Sequence, residues 1–205
     1  MQKLAEAVVH WVAYRSCLGF GRFLNESAFK EPIIGYLQSD GWALETEQDY
    51  YTVCSTVKKG KCFSDYCLSK NDQRLLLETK FFKTSSQKTV FNDFVKLALP
   101  VNGVIKCCEL IVWSGATQPW GQFELLLKMN TGDKIILDPN HSLVRGGDKL
   151  FPLKDNVKEF ERLRGFGQPM STIDLVCSQK YESNPYGGMV IIVSRSSYKS
   201  SVVES

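Results

Sequence analysis

Two apolar, aromatic-rich runs flank a short polar segment in the first half of the chain, and they constrain the fold more than any other feature. They read Lys61-Cys-Phe-Ser-Asp65-Tyr-Cys-Leu-Ser69 and Arg74-Leu-Leu-Leu-Glu78-Thr-Lys80-Phe-Phe82, with Lys70-Asn-Asp-Gln73 between them. Runs of this composition around an Asn-Asp pair predict two antiparallel strands joined by a tight turn. Centring the turn between Asn71 and Asp72 makes residues whose numbers sum to 143 face each other. Asp65 and Glu78 satisfy that sum, so they are expected as a direct cross-strand pair with Cβ atoms about 5 Å apart. Alternation then puts Lys80 on the same face as Glu78.

Like charges directly opposite each other destabilise a sheet, so the pair calls for a cation. A divalent ion is the natural candidate, because magnesium uses one or two carboxylates together with water and phosphate oxygens. The plainer alternative is an exposed face on which Lys80 neutralises Glu78. The Leu75-Leu76-Leu77 run and the Phe81-Phe82 pair argue for a central, buried strand, where an ionisable pair needs a reason.

A length of 205 residues suits a single domain with a sizeable core. Hydrophobic residues at 43% and charged residues at 23% are ordinary for a globular chain. The net charge of +3 is too mild to announce a nucleic-acid binder by itself. Seven cysteines, an odd number without a CxxC pair, argue against a zinc ribbon and for reduced core thiols in a cytoplasmic protein. No signal peptide or membrane-length apolar run is present, so no membrane partner is expected.

Helical spacing of Leu4, Val8, Trp11, Val12 and Arg15 predicts a helix near residues 3–16, broken by Gly19 and Gly21. A second helix is expected from about Asn25 to Gln38, then a strand over Trp42–Tyr51, then the hairpin. Thr89–Leu99 should be a helix ended by Pro100, and Cys107–Trp113 a buried strand. Together these elements predict an α/β core with a mixed sheet. Further on, Gln122–Met129, Lys134–Leu137, Thr172–Cys177 and Met189–Ser194 look like strands, and Asp155–Arg164 like a helix. Asp138-Pro-Asn-His141 reads as a turn. Trp113–Gln118 reads as a connecting loop.

Phe29, Ile33 and Leu37 mark the apolar stripe of the second helix, and one turn earlier Glu26 falls on the inward face. Glu31 falls off the stripe, toward solvent. Pro32 would kink the helix unless it lies in the first turn. No phosphate-binding glycine loop and no Gly-x-Ser-x-Gly elbow occurs, which lowers the prospects of NTP hydrolysis and serine-hydrolase chemistry.

The ordered set from about Asn25 to Trp113 resembles the PD-(D/E)xK phosphodiesterase superfamily, the restriction-endonuclease-like nucleases. The set comprises a helix with Glu26, a first strand, Asp65 on the second strand, and Glu78-Thr79-Lys80 on the third. A helix with Asn92, Asp93, Lys96 and Leu97 and the buried strand Cys107–Trp113 complete it. Ser64 stands where the motif has proline.

The resemblance implies a restriction-endonuclease-like core over about 25–114, with the N-terminal helix before it and an extension over 115–205. It implies a magnesium-dependent endonuclease, with manganese as a substitute, in which Asp65, Glu78 and the Thr79 backbone carbonyl hold the ion. Glu26 would bind the ion's outer water, and Lys80 would orient the attacking water. DNA is the implied substrate, with RNA as the alternative, and a homodimer is compatible with cutting both strands. Restriction, defence or repair are the settings it suggests. Lys58, Lys59 and Lys61 bunch beside the acidic patch and, with Lys83, are candidate nucleic-acid contacts. Gln87 and Lys88 open the next helix, whose N-terminus suits phosphate. Readings from other classes are a non-catalytic nucleic-acid-binding or assembly subunit, and a secreted nuclease toxin, against which the scattered cysteines argue.

Overall fold

The computed structural model describes residues 1–21, 24–49, 63–82, 87–98, 105–115, 122–138, 143–146, 149–152 and 172–195. Helix α1 (Leu4–Cys17) is followed by a 3-10 turn (Glu26–Phe29), helix α2 (Lys30–Ser39) and strands β1 (Ala43–Asp49), β2 (Phe63–Lys70) and β3 (Gln73–Phe82). Helix α3 (Gln87–Leu97) crosses over to β4 (Ile105–Ser114). Helix α4 (Gln122–Leu127) and strands β5 (Lys134–Asp138), β6 (Leu143–Gly146), β7 (Lys149–Pro152), β8 (Ile173–Ser183) and β9 (Tyr186–Arg195) complete the described elements.

Among the described residues the strands form one mixed sheet in the order β1-β2-β3-β4-β9-β8-β5-β6-β7. β3 and β4 run parallel, as a helical crossover between them allows, and the remaining neighbours are antiparallel. The chain is therefore α/β. The strands after residue 115 are built into the same sheet, because β9 lies directly against β4.

Alternation sorts the side chains of the central strands onto two faces. Leu75, Leu77, Phe81, Cys108, Leu110 and Val112 pack with Leu4, Val8 and Val12 of α1 and Ile33 and Leu37 of α2. Leu76, Phe82, Cys107, Ile111 and Trp113 pack on the other face with Val90, Phe94 and Val95 of α3. Each strand of this centre is covered on both sides, which is why it reads as a near-continuous apolar run.

The β2–β3 register pairs Tyr66 with Leu77, Cys67 with Leu76 and Leu68 with Leu75, so the sum of 143 holds along the ladder. Asn71 takes a positive φ of 53° in the turn, a conformation asparagine tolerates well. Pro32 is the third residue of α2 and so lies in its first turn, where the missing N–H costs nothing. The expected helix from Asn25 is thus divided. Asn25 caps the 3-10 turn, its side-chain oxygen accepting from the Ala28 N–H at 3.1 Å, and α2 proper begins at Lys30.

One expected strand is a helix. Gln122–Leu127 forms α4, part of the run predicted as a strand over Gln122–Met129. Gln, Glu, Leu and Lys are strong helix formers, and Lys128 pairs with Glu124 at i,i+4. A short apolar run does not by itself separate the two states. The expected helix Asp155–Arg164, the ends of the strand at Tyr50 and Tyr51, the turn residues 139–142 and the loop from 116 lie outside the described residues. Cys67, Cys107, Cys108 and Cys177 are buried and free. Among the described residues no helix is long and apolar enough to cross a membrane.

Gly187 faces Trp113 across the β4–β9 ladder. A Cβ placed there would lie 2.3 Å from the indole ring, which is itself 8% exposed. Gly187→Ala should therefore destabilise by about 1–3 kcal/mol through overpacking. Gly35→Ala is the contrasting control. It sits in α2 with nothing within 4 Å of the added methyl and should gain about 0.5–1 kcal/mol. Urea midpoints of the two variants should move in opposite directions.

Candidate active site

Glu78 and Thr79, the first two residues of the Glu78-Thr79-Lys80 segment, are the buried polar positions of β3. Glu78 is 3% exposed and Thr79 6%. By alternation Glu78 and Lys80 share the α3 face with Leu76 and Phe82, and Thr79 belongs to the opposite face with Leu77 and Phe81.

Asp65 departs from the expected arrangement. The β2–β3 ladder ends at Tyr66–Leu77, one pair short of Asp65 and Glu78. The Asp65 carboxylate instead takes over the next backbone donor. Its Oδ2 accepts the Thr79 N–H at 2.8 Å and the Thr79 hydroxyl at 2.8 Å. Thr79 thus contributes its amide and side chain to the site, although alternation alone places that side chain away from it. Two donors on one carboxylate oxygen fix Asp65 at the end of the ladder.

The cation beside Glu78 is also not the expected one. Lys96, from α3, places its ammonium 2.7 Å from Glu78 Oε2 and 3.5 Å from Asp93 Oδ1, and donates to the Phe63 carbonyl at 3.1 Å. Lys80 pairs with Asp93 Oδ2 at 3.1 Å and with Glu26 Oε1 at 3.5 Å. Glu26 therefore reaches the site from the 3-10 turn. It is not a buried ligand on a helix face, since its side chain is 48% exposed. Glu31 is exposed.

Three members of the cluster escaped the sequence analysis as site residues: Asp93, Lys96 and Glu109. Asp93 and Lys96 are one helical turn apart on α3, both turned toward the sheet. Glu109 is the register partner of Glu78 on β4 and is 0% exposed. A single glutamate inside the run Cys107–Trp113 was the available signal, because a charged residue in a doubly covered strand is rarely there without a partner. Five carboxylates (Glu26, Asp65, Glu78, Asp93, Glu109) thus converge with two ammonium groups (Lys80, Lys96).

Burial pushes the Glu78 carboxyl up to about 8, with the nearby Asp65 and Asp93 charges adding to the rise and Lys96 opposing it. Burial likewise holds Glu109 well above the ordinary carboxyl range, with Asp93 and Glu78 reinforcing it. For Lys80 burial works against the charge, but Asp93 and Glu26 outweigh it, and the ammonium is held more firmly than usual.

The Glu78 shift gives a signed expectation. The folded chain holds the Glu78 proton more tightly than the unfolded chain, so this group favours folding at pH below 4.5 and loses that contribution as pH rises through about 8. Thermal stability should therefore fall between pH 5 and pH 9. Glu78→Gln, which cannot ionise, should flatten part of that decline and be the more stable protein at the alkaline end. Melts of both proteins across the range check this.

Among the described residues no three His, Cys, Asp or Glu side chains are already spaced to hold a metal ion. Glu78 Oε1 is nonetheless buried without a hydrogen-bond partner, and carboxylate oxygens suit a hard cation. Lys58, Lys59, Lys61 and Lys83 lie outside the described residues. Gln87 and Lys88 are the first two residues of α3. Comparison of the chain with family models, with curated proteins and with solved structures yields no significant match.

Proposed function

We propose that the chain is a metal-dependent nuclease of the PD-(D/E)xK kind that hydrolyses phosphodiester bonds of DNA. The observation that carries this reading is the buried Glu78-Thr79 pair with half-buried Lys80 beside it on a central strand. Charged groups from β2, β4, α3 and the 3-10 turn gather around it among the apolar residues of the central strands. The order of three antiparallel strands, a crossover helix and a parallel fourth strand supports a restriction-endonuclease-like core.

Asp65, Glu78 and the Thr79 carbonyl would hold magnesium, with Glu26 toward its outer water, and the ion would supply an acidified water and charge stabilisation at the phosphate. Thr79 keeps Asp65 oriented through its amide and hydroxyl. Lys80, kept charged by Asp93, orients the attacking water and offsets negative charge that grows on the phosphate. Gln87 and Lys88 stand at a helix N-terminus, a favourable place for a neighbouring phosphate.

A second reading has one observation in its favour. Lys96 already neutralises Glu78, so the fold does not need a metal to tolerate that carboxylate. A non-catalytic nucleic-acid-binding or assembly subunit would keep such an arrangement. Incubating the purified chain with plasmid, linear duplex, single-stranded DNA and RNA, with and without magnesium, separates the two. Magnesium-dependent cleavage of DNA is expected. Binding without cleavage under magnesium or manganese favours the second reading.

A further inference from the structure

Among the described residues Phe63 is the exposed large hydrophobic side chain that stands beside the charged cluster. Tyr14, Leu18 and Phe20, the others of that kind, lie on α1 or just after it. Phe63 opens β2 and is 48% exposed, although Tyr66, Cys67 and Leu68 of the same strand are buried. Its place is set by the cluster itself. The Lys96 ammonium donates to the Phe63 carbonyl at 3.1 Å and pairs with Glu78 Oε2 at 2.7 Å, so Phe63 and Glu78 flank one nitrogen. Cys67 packs into the core on the α3 face. Phe63, two alternations earlier, presents its ring on that same face, which also carries Glu78 and Lys80.

Exposed apolar residues occur singly on most surfaces, so exposure alone says little. What matters is the juxtaposition of a free aromatic face with two ammonium groups. Among the described residues no aromatic ring or cation stacks on Phe63, whereas Arg15 lies over Phe20 at 4.6 Å and Phe29 packs against Phe81. Lys96 adjoins Phe63 directly, and Lys80 shares Asp93 with Lys96. Cations beside an aromatic face are the combination that binds single-stranded nucleic acid: the cations follow the phosphates and the ring stacks on a base. A base inside a duplex has both faces covered by its neighbours, so a protein ring stacks only on one that is unpaired or flipped out.

We propose that Phe63 is a stacking platform for the unpaired base of a nucleotide whose phosphate lies toward Lys80, and that the site takes single-stranded DNA in preference to intact duplex. This deepens the nuclease reading and rests on it for the identity of the substrate. The ring fixes where the strand lies, and so which phosphodiester comes to Lys80. Phe63 acts in binding and register and takes no part in proton transfer. Its side chain can be changed without touching the contact to Lys96, because the backbone carbonyl makes that contact.

The test is fluorescence anisotropy of a short labelled oligodeoxynucleotide, single-stranded or annealed to its complement, mixed with the full chain in magnesium-free buffer. The wild type should bind the single strand more tightly than the duplex. Phe63→Ala should weaken single-strand binding by about tenfold, within the usual cost of one lost base–aromatic stack, and duplex binding far less. Phe63→Trp should restore the affinity and add an indole whose fluorescence the single strand quenches. Oligonucleotides with one abasic nucleotide at successive positions complete a double-mutant cycle. The abasic position that weakens the wild type should not weaken Phe63→Ala further. Equal single-strand affinity of Phe63→Ala and wild type, equal losses on single strand and duplex, or a wild type without preference for the single strand would each overturn the proposal. Phe63-dependent single-strand binding in a chain that cleaves nothing under magnesium or manganese would sink the nuclease reading and leave this inference standing. Magnesium-dependent cleavage by a chain whose DNA affinity is indifferent to Phe63 would do the reverse.

Discussion

Lys80→Ala is expected to lower the rate of DNA cleavage by roughly 100- to 1000-fold, the usual cost of removing one group that acts on charge developing in the transition state. Nucleic-acid affinity should be largely retained, because it draws on many phosphate contacts spread over the surface. The fold should also survive. Asp93 loses Lys80 but keeps Lys96 at 3.5 Å, so no carboxylate of that pair is stranded without a cation. Glu78→Ala should behave differently, losing activity while shifting the magnesium requirement to higher concentration. Cleavage rates at several magnesium concentrations, together with a binding assay, separate the two variants. A Lys80→Ala protein that cuts as fast as the wild type would remove Lys80 from the chemistry.

The largest effect on stability is expected at Asp93. Its carboxylate bridges Lys80 at 3.1 Å and Lys96 at 3.5 Å, and all three side chains are mostly buried at 14%, 15% and 20% exposure. Asp93→Ala leaves two partly buried ammonium groups short of their shared partner. Breaking a buried pair by removing one side costs about 3–5 kcal/mol. The lower end is expected here, since Lys80 keeps Glu26 and Lys96 keeps Glu78. Urea unfolding of Asp93→Ala and Asp93→Asn checks the magnitude. A midpoint equal to that of the wild type would mean that the ion pairs contribute nothing to the fold. Lys80 thus carries the chemistry of the cluster, and Asp93 the support beneath it.

The hairpin was legible in the sequence down to its register, because the Asn71-Asp72 turn and the alternation of Leu75, Leu76 and Leu77 are properties of adjacent residues. The extent of the ladder was not legible. Asp65 leaves it to bind the Thr79 amide and hydroxyl, and that competition between a side chain and a backbone ladder shows only in three dimensions. At α4 the run Gln122–Met129 reads as a strand while Gln122–Leu127 folds as a helix, because so short a run carries too little periodicity to separate the two states. At Glu26 the residue type was informative, but the Asn25 cap and the position of Pro32 set it on a 3-10 turn and not on the helix.

The amino-acid order by itself determined the α/β class, the doubly covered central strands and the placing of Glu78 and Lys80 on one face. These follow from side-chain period and turn chemistry, which act over a few residues. Only the tertiary structure decided which charges meet. α3 had to fold across the sheet before Lys96 could reach Glu78 and Asp93 could reach Lys80. β4 had to pair with β3 in parallel before Glu109 could stand beside Glu78. An ion pair depends on distance in space, and residues 13 to 31 positions apart in the chain acquire that distance only when the crossover closes.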